Sequence, residues 1–114
     1  MSLMVSDGSE MIRYNPSTAS IEASNSRGIS WFMRYRCSGM GNIRALTKHK
    51  GEIILCSDQG IYFSKNSGRA WAKRNSSERK FVDIQDMGNE LIATTSDGHI
   101  YASSSGGFCW FKRR

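Results

Sequence analysis

The sequence predicts an all-β protein assembled from three copies of one four-stranded antiparallel unit. Three observations carry that prediction. Trp31, Trp71 and Trp110 recur at intervals of 40 and 39 residues. Each closes a phrase of one pattern, namely Ser24-Asn25-Ser26-Arg27-Gly28-Ile29-Ser30-Trp31, Ser64-Lys65-Asn66-Ser67-Gly68-Arg69-Ala70-Trp71 and Ser103-Ser104-Ser105-Gly106-Gly107-Phe108-Cys109-Trp110. No stretch of the 114 residues sustains a helical period of apolar positions, so almost no helix is expected. Repetition at a fixed period marks a chain of copied supersecondary units, each of which must stack on a neighbour to bury its faces.

The strands follow in order from each turn. The first unit opens on Leu3-Met4-Val5, turns near Gly8, runs through Met11-Ile12-Arg13-Tyr14, turns at Pro16-Ser17-Thr18 and runs again through Ala19 to Ser24. The second has Ile43-Arg44-Ala45-Leu46, then Ile53-Ile54-Leu55-Cys56 after Gly51, then Ile61-Tyr62-Phe63 after Asp58-Gln59-Gly60. The third repeats this with Phe81-Val82-Asp83-Ile84, Leu91-Ile92-Ala93-Thr94 and Ile100-Tyr101-Ala102. Short runs rich in Ile, Thr, Tyr and Phe between Gly, Asp and Ser clusters are strand signals. A fourth strand follows each Trp. The units are expected at 1–40, 41–78 and 79–114 within one domain, and four-stranded units of this length are propeller blades.

The repeated phrase resembles the Asp-box, or BNR repeat, of pattern Ser-x-Asp-x-Gly-x-Thr-Trp. Proteins with that repeat, such as sialidases, sortilin-type receptors and photosystem-assembly-factor-like proteins, fold as β-propellers. The resemblance covers nearly the whole chain. The Ser, Gly and Trp positions are kept at Ser24, Gly28 and Trp31, at Ser64, Gly68 and Trp71, and at Ser103, Gly107 and Trp110. The Asp position instead holds Ser26, Asn66 and Ser105. Ser and Asn can still accept a backbone hydrogen bond two residues on, and the Gly tolerates φ > 0. The resemblance implies a structural turn, away from the ligand face, with the Trp buried over its hairpin.

Charge is +6 with 16 Lys and Arg against 10 acids. Arg34, Arg74 and Arg113 each fall three residues after a Trp. On an outermost strand they would make a basic rim, serving either as edge protection or as a face for nucleic acid, anionic headgroups or an acidic partner. Phe32, Tyr35 and Phe111 follow strand alternation and are expected between blades rather than stacked on bases. Nucleic acid is therefore a permitted but not a favoured partner.

Enzyme chemistry finds little support. The resemblance raises a sialidase, in which three arginines converge on a carboxylate, but the Arg-Ile-Pro phrase of those enzymes is absent; Ile12-Arg13-Tyr14-Asn15-Pro16 is no match. Arg44 and Asp83, on innermost strands, are candidates to face a channel. No nucleotide or hydrolase motif occurs. With His49 and His99 as the only histidines and no Cys-x-x-Cys, no metal site is expected. No catalytic residue and no cofactor are assigned. Cys37, Cys56 and Cys109, odd in number and unclustered, suggest a reducing, cytoplasmic setting. The start lacks a secretory pattern, and Met1-Ser2-Leu3 reads as a cloning remnant. No run approaches the ~18 apolar residues of a membrane span.

Three open blades would leave two sheet faces bare, whereas propellers close with roughly four to eight blades. Two copies give six, so a homodimer is expected, with unit 1 of each chain on unit 3 of the other. The leading functional expectation is a non-enzymatic scaffold that binds protein or another ligand at the channel mouth or top loops. The best candidate loop is Thr47-Lys48-His49-Lys50-Gly51, basic and expected to be exposed. A lectin-like glycan binder is the alternative and would need exposed Trp faces.

Overall fold

The structure is a computed structural model that describes residues 3–76 and 81–114. Twelve strands form three four-stranded antiparallel sheets, and no helix occurs among the described residues. The first sheet holds β1 (Met4–Asp7), β2 (Glu10–Asn15), β3 (Ser20–Ser24) and β4 (Phe32–Arg36) in sequence order. The second holds β5 (Ile43–His49), β6 (Glu52–Ser57), β7 (Gly60–Ser64) and β8 (Ala72–Asn75). The third holds β9 (Phe81–Asp86), β10 (Leu91–Thr95), β11 (Ile100–Ser103) and β12 (Phe111–Lys112). We call them blades 1 to 3. The expected division between residues 78 and 79 lies outside the described residues.

Each sheet is a meander because tight turns join consecutive strands. Between β5 and β6 the turn is Lys50-Gly51, both at positive φ (50° and 81°), the geometry whose twist matches a two-residue hairpin. Paired residues point to one side of a sheet, so Ile12 and Ala23, Ile54 and Phe63, and Ile92 and Ala102 share equivalent faces. β5 packs beside both β1 and β9, so the first strand of each blade is innermost and the fourth outermost.

Two apolar layers hold the blades together. In the first, Ile12, Ile21 and Ala23 of blade 1 meet Leu46, Ile53, Leu55 and Tyr62 of blade 2, with Cys37 and Met40 in the same layer. In the second, Ala45, Ile54, Cys56 and Ile61 of blade 2 meet Ile84, Leu91, Ala93 and Trp110 of blade 3. Each fully buried Ile or Leu contributes about 2 kcal/mol of transfer free energy. The blades are thus bound by strand alternation, with one face of β6 and β7 turned to blade 1 and the other to blade 3.

Phe81 anchors the second layer, its ring centroid 4.8 Å from Trp110 and 5.4 Å from Tyr101. Tyr35 packs on the first layer as expected from alternation. Phe32 pairs with Ala23 on the face turned to blade 2 and is 44% exposed, whereas Phe111 is 67% exposed. Phe111 belongs to the face of blade 3 that has no further blade against it.

Candidate functional site

The repeated turn is built around its serine. Ser24, Ser64 and Ser103 each accept a hydrogen bond at 2.9 Å from the backbone N–H of Gly28, Gly68 and Gly107. All three hydroxyls are buried. The third residue of each phrase works through a longer reach than a two-residue turn. Ser26 Oγ accepts from Ser30 N at 3.0 Å, Asn66 Oδ1 from Ala70 N at 2.9 Å and Ser105 Oγ from Cys109 N at 2.9 Å, each four residues on. Each indole N–H then donates at 3.0 Å to the glycine carbonyl three residues back. Trp110 is 5% exposed, while Trp31 and Trp71 are half-buried.

The next feature is a clamp between blades. Arg34 binds both oxygens of Glu10 at 2.9 and 2.7 Å and donates to the carbonyl of Ser67, in the turn of blade 2, at 3.0 Å. Arg74 repeats this one blade on, with Glu52 at 2.8 and 2.9 Å and Gly106 O at 3.0 Å. Its guanidinium lies 3.7 Å from the centroid of Phe63 and 4.5 Å from that of Phe108. Arg113 binds Glu90 at 2.8 and 3.1 Å. The side chains of Arg34 and Arg74 are 6% and 5% exposed.

The expected basic rim is therefore corrected. Arg34 and Arg74 are on outermost strands and Arg113 directly follows one, but Arg34 and Arg74 are sequestered and neutralised, and Arg113 is already paired. Each arginine holds its carboxyl below the ordinary value of 4.5, chiefly through the side-chain hydrogen bond. The glutamates escaped the sequence reading. The available signal was that a Glu opens or immediately precedes each second strand, 24, 22 and 23 residues before its arginine.

The candidate loop is also corrected. Thr47, Lys48 and His49 are the end of β5, and only Lys50 and Gly51 form the exposed turn. His49 is buried and its Nδ1 lies 2.7 Å from Asp86 of blade 3, while Lys48 pairs with Asp7 of blade 1 at 2.8 Å. The two pairs occupy equivalent positions with the acidic and basic residue types exchanged, one at each junction. The partners hold the carboxyls of Asp7 and Asp86 below their ordinary range, mainly by hydrogen bonding.

The three innermost strands enclose a cleft of about 430 Å³. Its polar lining includes Thr47, Lys48, Asp83, Gln85 and Asp86, with Met4, Val5, Leu46 and Ile84 beside them. Lys48 and Asp83 are thus brought together. Arg44 is not with them; it lines a separate cleft of about 290 Å³ with Asp58, Phe81, Val82 and Ser96. Among the described residues no group of acidic, His and Cys side chains could hold a metal ion, and no helix is long and apolar enough to cross a membrane. Burial raises the thiols of Cys37 and Cys56 to about 11 and about 12, so both are poor nucleophiles.

Blades stacked with their first strands innermost and their fourth outermost define a β-propeller segment, and solved structures show the same fold. Over 93% of this chain and 38% of its own length, YCF48 bound to a D1 peptide superposes with a TM-score of 0.76 at 15% identity. YCF48 from Cyanidioschyzon merolae gives 0.71 at 18% identity, over 93% of this chain and 33% of its own. An ancestral GH74 enzyme gives 0.67 at 17% identity, over 96% of this chain and 17% of its own. The chain thus spans about a third of the YCF48 structures and less of the enzyme. No family model matches the sequence, and no curated protein does.

Proposed function

We propose that this chain is a non-enzymatic Asp-box-type propeller scaffold that binds an extended segment of another protein along its innermost strands, and that two copies form the working six-bladed ring. The observation that carries the reading is the cleft between β1, β5 and β9, lined by a hydroxyl, an amide, both signs of charge and apolar side chains together. That mixture suits a peptide, whose backbone needs polar partners and whose side chains need apolar contact. YCF48, which shares the fold, was solved with a peptide bound.

The clamps bear on the enzyme question. Arg34 and Arg74 point into blade junctions and are held by Glu10 and Glu52, so they do not converge on a substrate carboxylate. The glycan-binding alternative has less support, because Trp110 is buried and all three indole N–H groups are bonded within their own turns.

The test is selection of a displayed random peptide library on the full chain and on a Thr47→Trp, Gln85→Trp variant with an obstructed cleft. Peptides retained by the wild type and lost from the variant support the reading. Peptides that bind both equally place recognition elsewhere. Turnover of a fluorogenic sialoside would overturn the non-enzymatic reading.

A further inference from the structure

Resting on the propeller reading above, we propose that the outer face of blade 3 receives blade 1 of a second copy of this chain, head to tail, with the partner's turn 24–31 seated under Arg113. The two junctions inside the chain supply the template. At each, a turn glycine approaches the preceding blade so closely that a Cβ on it would lie 3.1 Å from an isoleucine methyl: Gly68 on Ile21 and Gly107 on Ile61. At each, an arginine of the preceding blade donates to the carbonyl of the residue before that glycine.

The third junction is present as two separated halves. On blade 3, Ile100 occupies the position of Ile21 and Ile61, pairing with Thr94 as they pair with Tyr14 and Cys56. Arg113 is preset against Glu90 like its counterparts, yet its side chain is 56% exposed where theirs are 6% and 5%. On blade 1, Gly28 has φ +88° and no neighbour from another blade, its nearest atoms belonging to Trp31 and Met11. Ile29, at the position that Phe108 fills beside Arg74, is 87% exposed.

Four further exposed apolar side chains mark the same two faces, while Phe32 and Phe108 belong to the internal junctions. Met87 (59%) stands where Asp7 and His49 cross the internal junctions, at the inner edge of blade 3, and Phe111 (67%) lies at its outer edge. Met4 and Met33 (45% and 55%) lie on the Trp31 side of blade 1, in line with Arg13 and Glu22. That side departs from its counterparts. Arg13 and Glu22 stand where blade 2 has Leu55 and Tyr62, and blade 3 has Ala93 and Tyr101. They pair at 2.8 Å, with Arg13 4.0 Å above Trp31, so their charges enter a junction already neutralised. Such a layer makes this junction weaker than the internal ones and the dimer reversible. Because the two surfaces are different, one contact is head-to-tail, and closure with three blades per copy needs two such contacts about one two-fold axis.

Sedimentation velocity on the full chain across a concentration series tests this. Wild type is expected to reach twice the 12.8 kDa chain mass. Ile29→Asp and Arg113→Ala should each raise the dimer dissociation constant at least tenfold. Mixing the two variants should restore dimer, since the heterodimer contains one intact junction and one doubly altered one. Met87→Lys replaces Arg113→Ala, and Met33→Lys replaces Ile29→Asp, where far-UV circular dichroism shows that the first variant has unfolded. A folded wild-type monomer at all concentrations overturns the proposal, including the case in which further blades of a longer polypeptide cover these faces. So does a dimer indifferent to the variants, or a mixture no tighter than its components. Peptide retention by the cleft is read on its own: a monomer that binds peptide keeps the scaffold reading, and a dimer that does not keeps only the junction.

Discussion

Arg74 closes on both carboxylate oxygens of Glu52, at 2.8 and 2.9 Å, inside a contact between two sheets rather than on an open surface. The arginine comes from the outermost strand of blade 2, the glutamate from the start of its second strand, and the third acceptor, Gly106 O, from blade 3. One guanidinium thus fixes the hairpins within a sheet and the distance to the next. Its planar fork and its stacking between Phe63 and Phe108 explain why lysine would not serve.

Removing Arg74 should therefore cost far more than a surface charge. Arg74→Ala leaves Glu52 and a turn carbonyl without their donor in a half-buried setting, for which a loss of about 3 kcal/mol is expected. Arg74→Lys should recover less than half of it. Chemical denaturation of both variants beside wild type measures this. A change within about 0.5 kcal/mol for Arg74→Ala would show that the clamp is decorative.

The clamps also set the acid limb of stability. The carboxyls of Glu10 and Glu52 are held below 4.5 in the folded chain, chiefly by Arg34 and Arg74. Between the folded and unfolded values the unfolded chain binds more protons, so stability falls as pH falls. The contribution is complete above the unfolded value and disappears as pH drops through the folded ones. Denaturation midpoints should be flat from pH 7 to about 5 and decline below that. Glu52→Gln should be less stable at pH 7 and show a shallower decline, and an unchanged slope would exclude Glu52 as a source.

Much of this architecture is legible in the sequence, and the illegible part has a physical cause. Trp spacing and the Ser, Gly and Trp phrase fix the hairpin between third and fourth strands because those residues satisfy bonds within the turn itself, at separations of three or four. Strand alternation places Ile12, Ile54 and Ile92 on equivalent faces. What a single repeat cannot reveal is a partner in another strand or blade. Arg74 reads as surface charge until Glu52 and Gly106 are placed beside it. His49, in a basic run, reads as loop until β5 is seen to carry it against Asp86.

The turn serines make a sharper claim than the tryptophans. Ser64 is 1% exposed; it accepts from Gly68 N and donates to Asn66 Oδ1 at 2.9 Å. Ser64→Ala should cost about 1–3 kcal/mol, the range for an orphaned buried partner. Asn66→Asp keeps an acceptor for Ala70 N and for the Ser64 hydroxyl. It should be neutral or slightly stabilising. Thermal unfolding of the two variants separates an acceptor requirement from a mere preference for small polar residues.

Thiol chemistry reports the packing independently. Cys37 and Cys56 are buried, with thiols raised by burial to about 11 and about 12, whereas Cys109 is exposed. At pH 8 one thiol per chain should react rapidly with a disulfide reagent and two more only after denaturant is added. Cys109→Ser should abolish the fast phase. Rapid reaction of two or more thiols in the native protein would contradict the blade contacts that bury Cys37 and Cys56.

The turn glycines separate backbone strain from blade contact. Gly28 and Gly68 have almost the same φ, +88° and +86°, so alanine meets the same conformational cost at either. At Gly68 the new methyl would also stand 3.1 Å from Ile21 Cγ2, whose side chain is fully buried and cannot retreat. At Gly28 the nearest atoms are 3.7 Å away. In dilute solution Gly68→Ala should therefore destabilise by about 1–3 kcal/mol more than Gly28→Ala, because overpacking adds to strain at one site alone. If turn 24–31 seats against Ile100 of a second copy, the gap must narrow as protein concentration rises, since the Gly28 variant then meets the same isoleucine. Denaturation of both variants at low and high concentration reads the strain and the junction in one experiment.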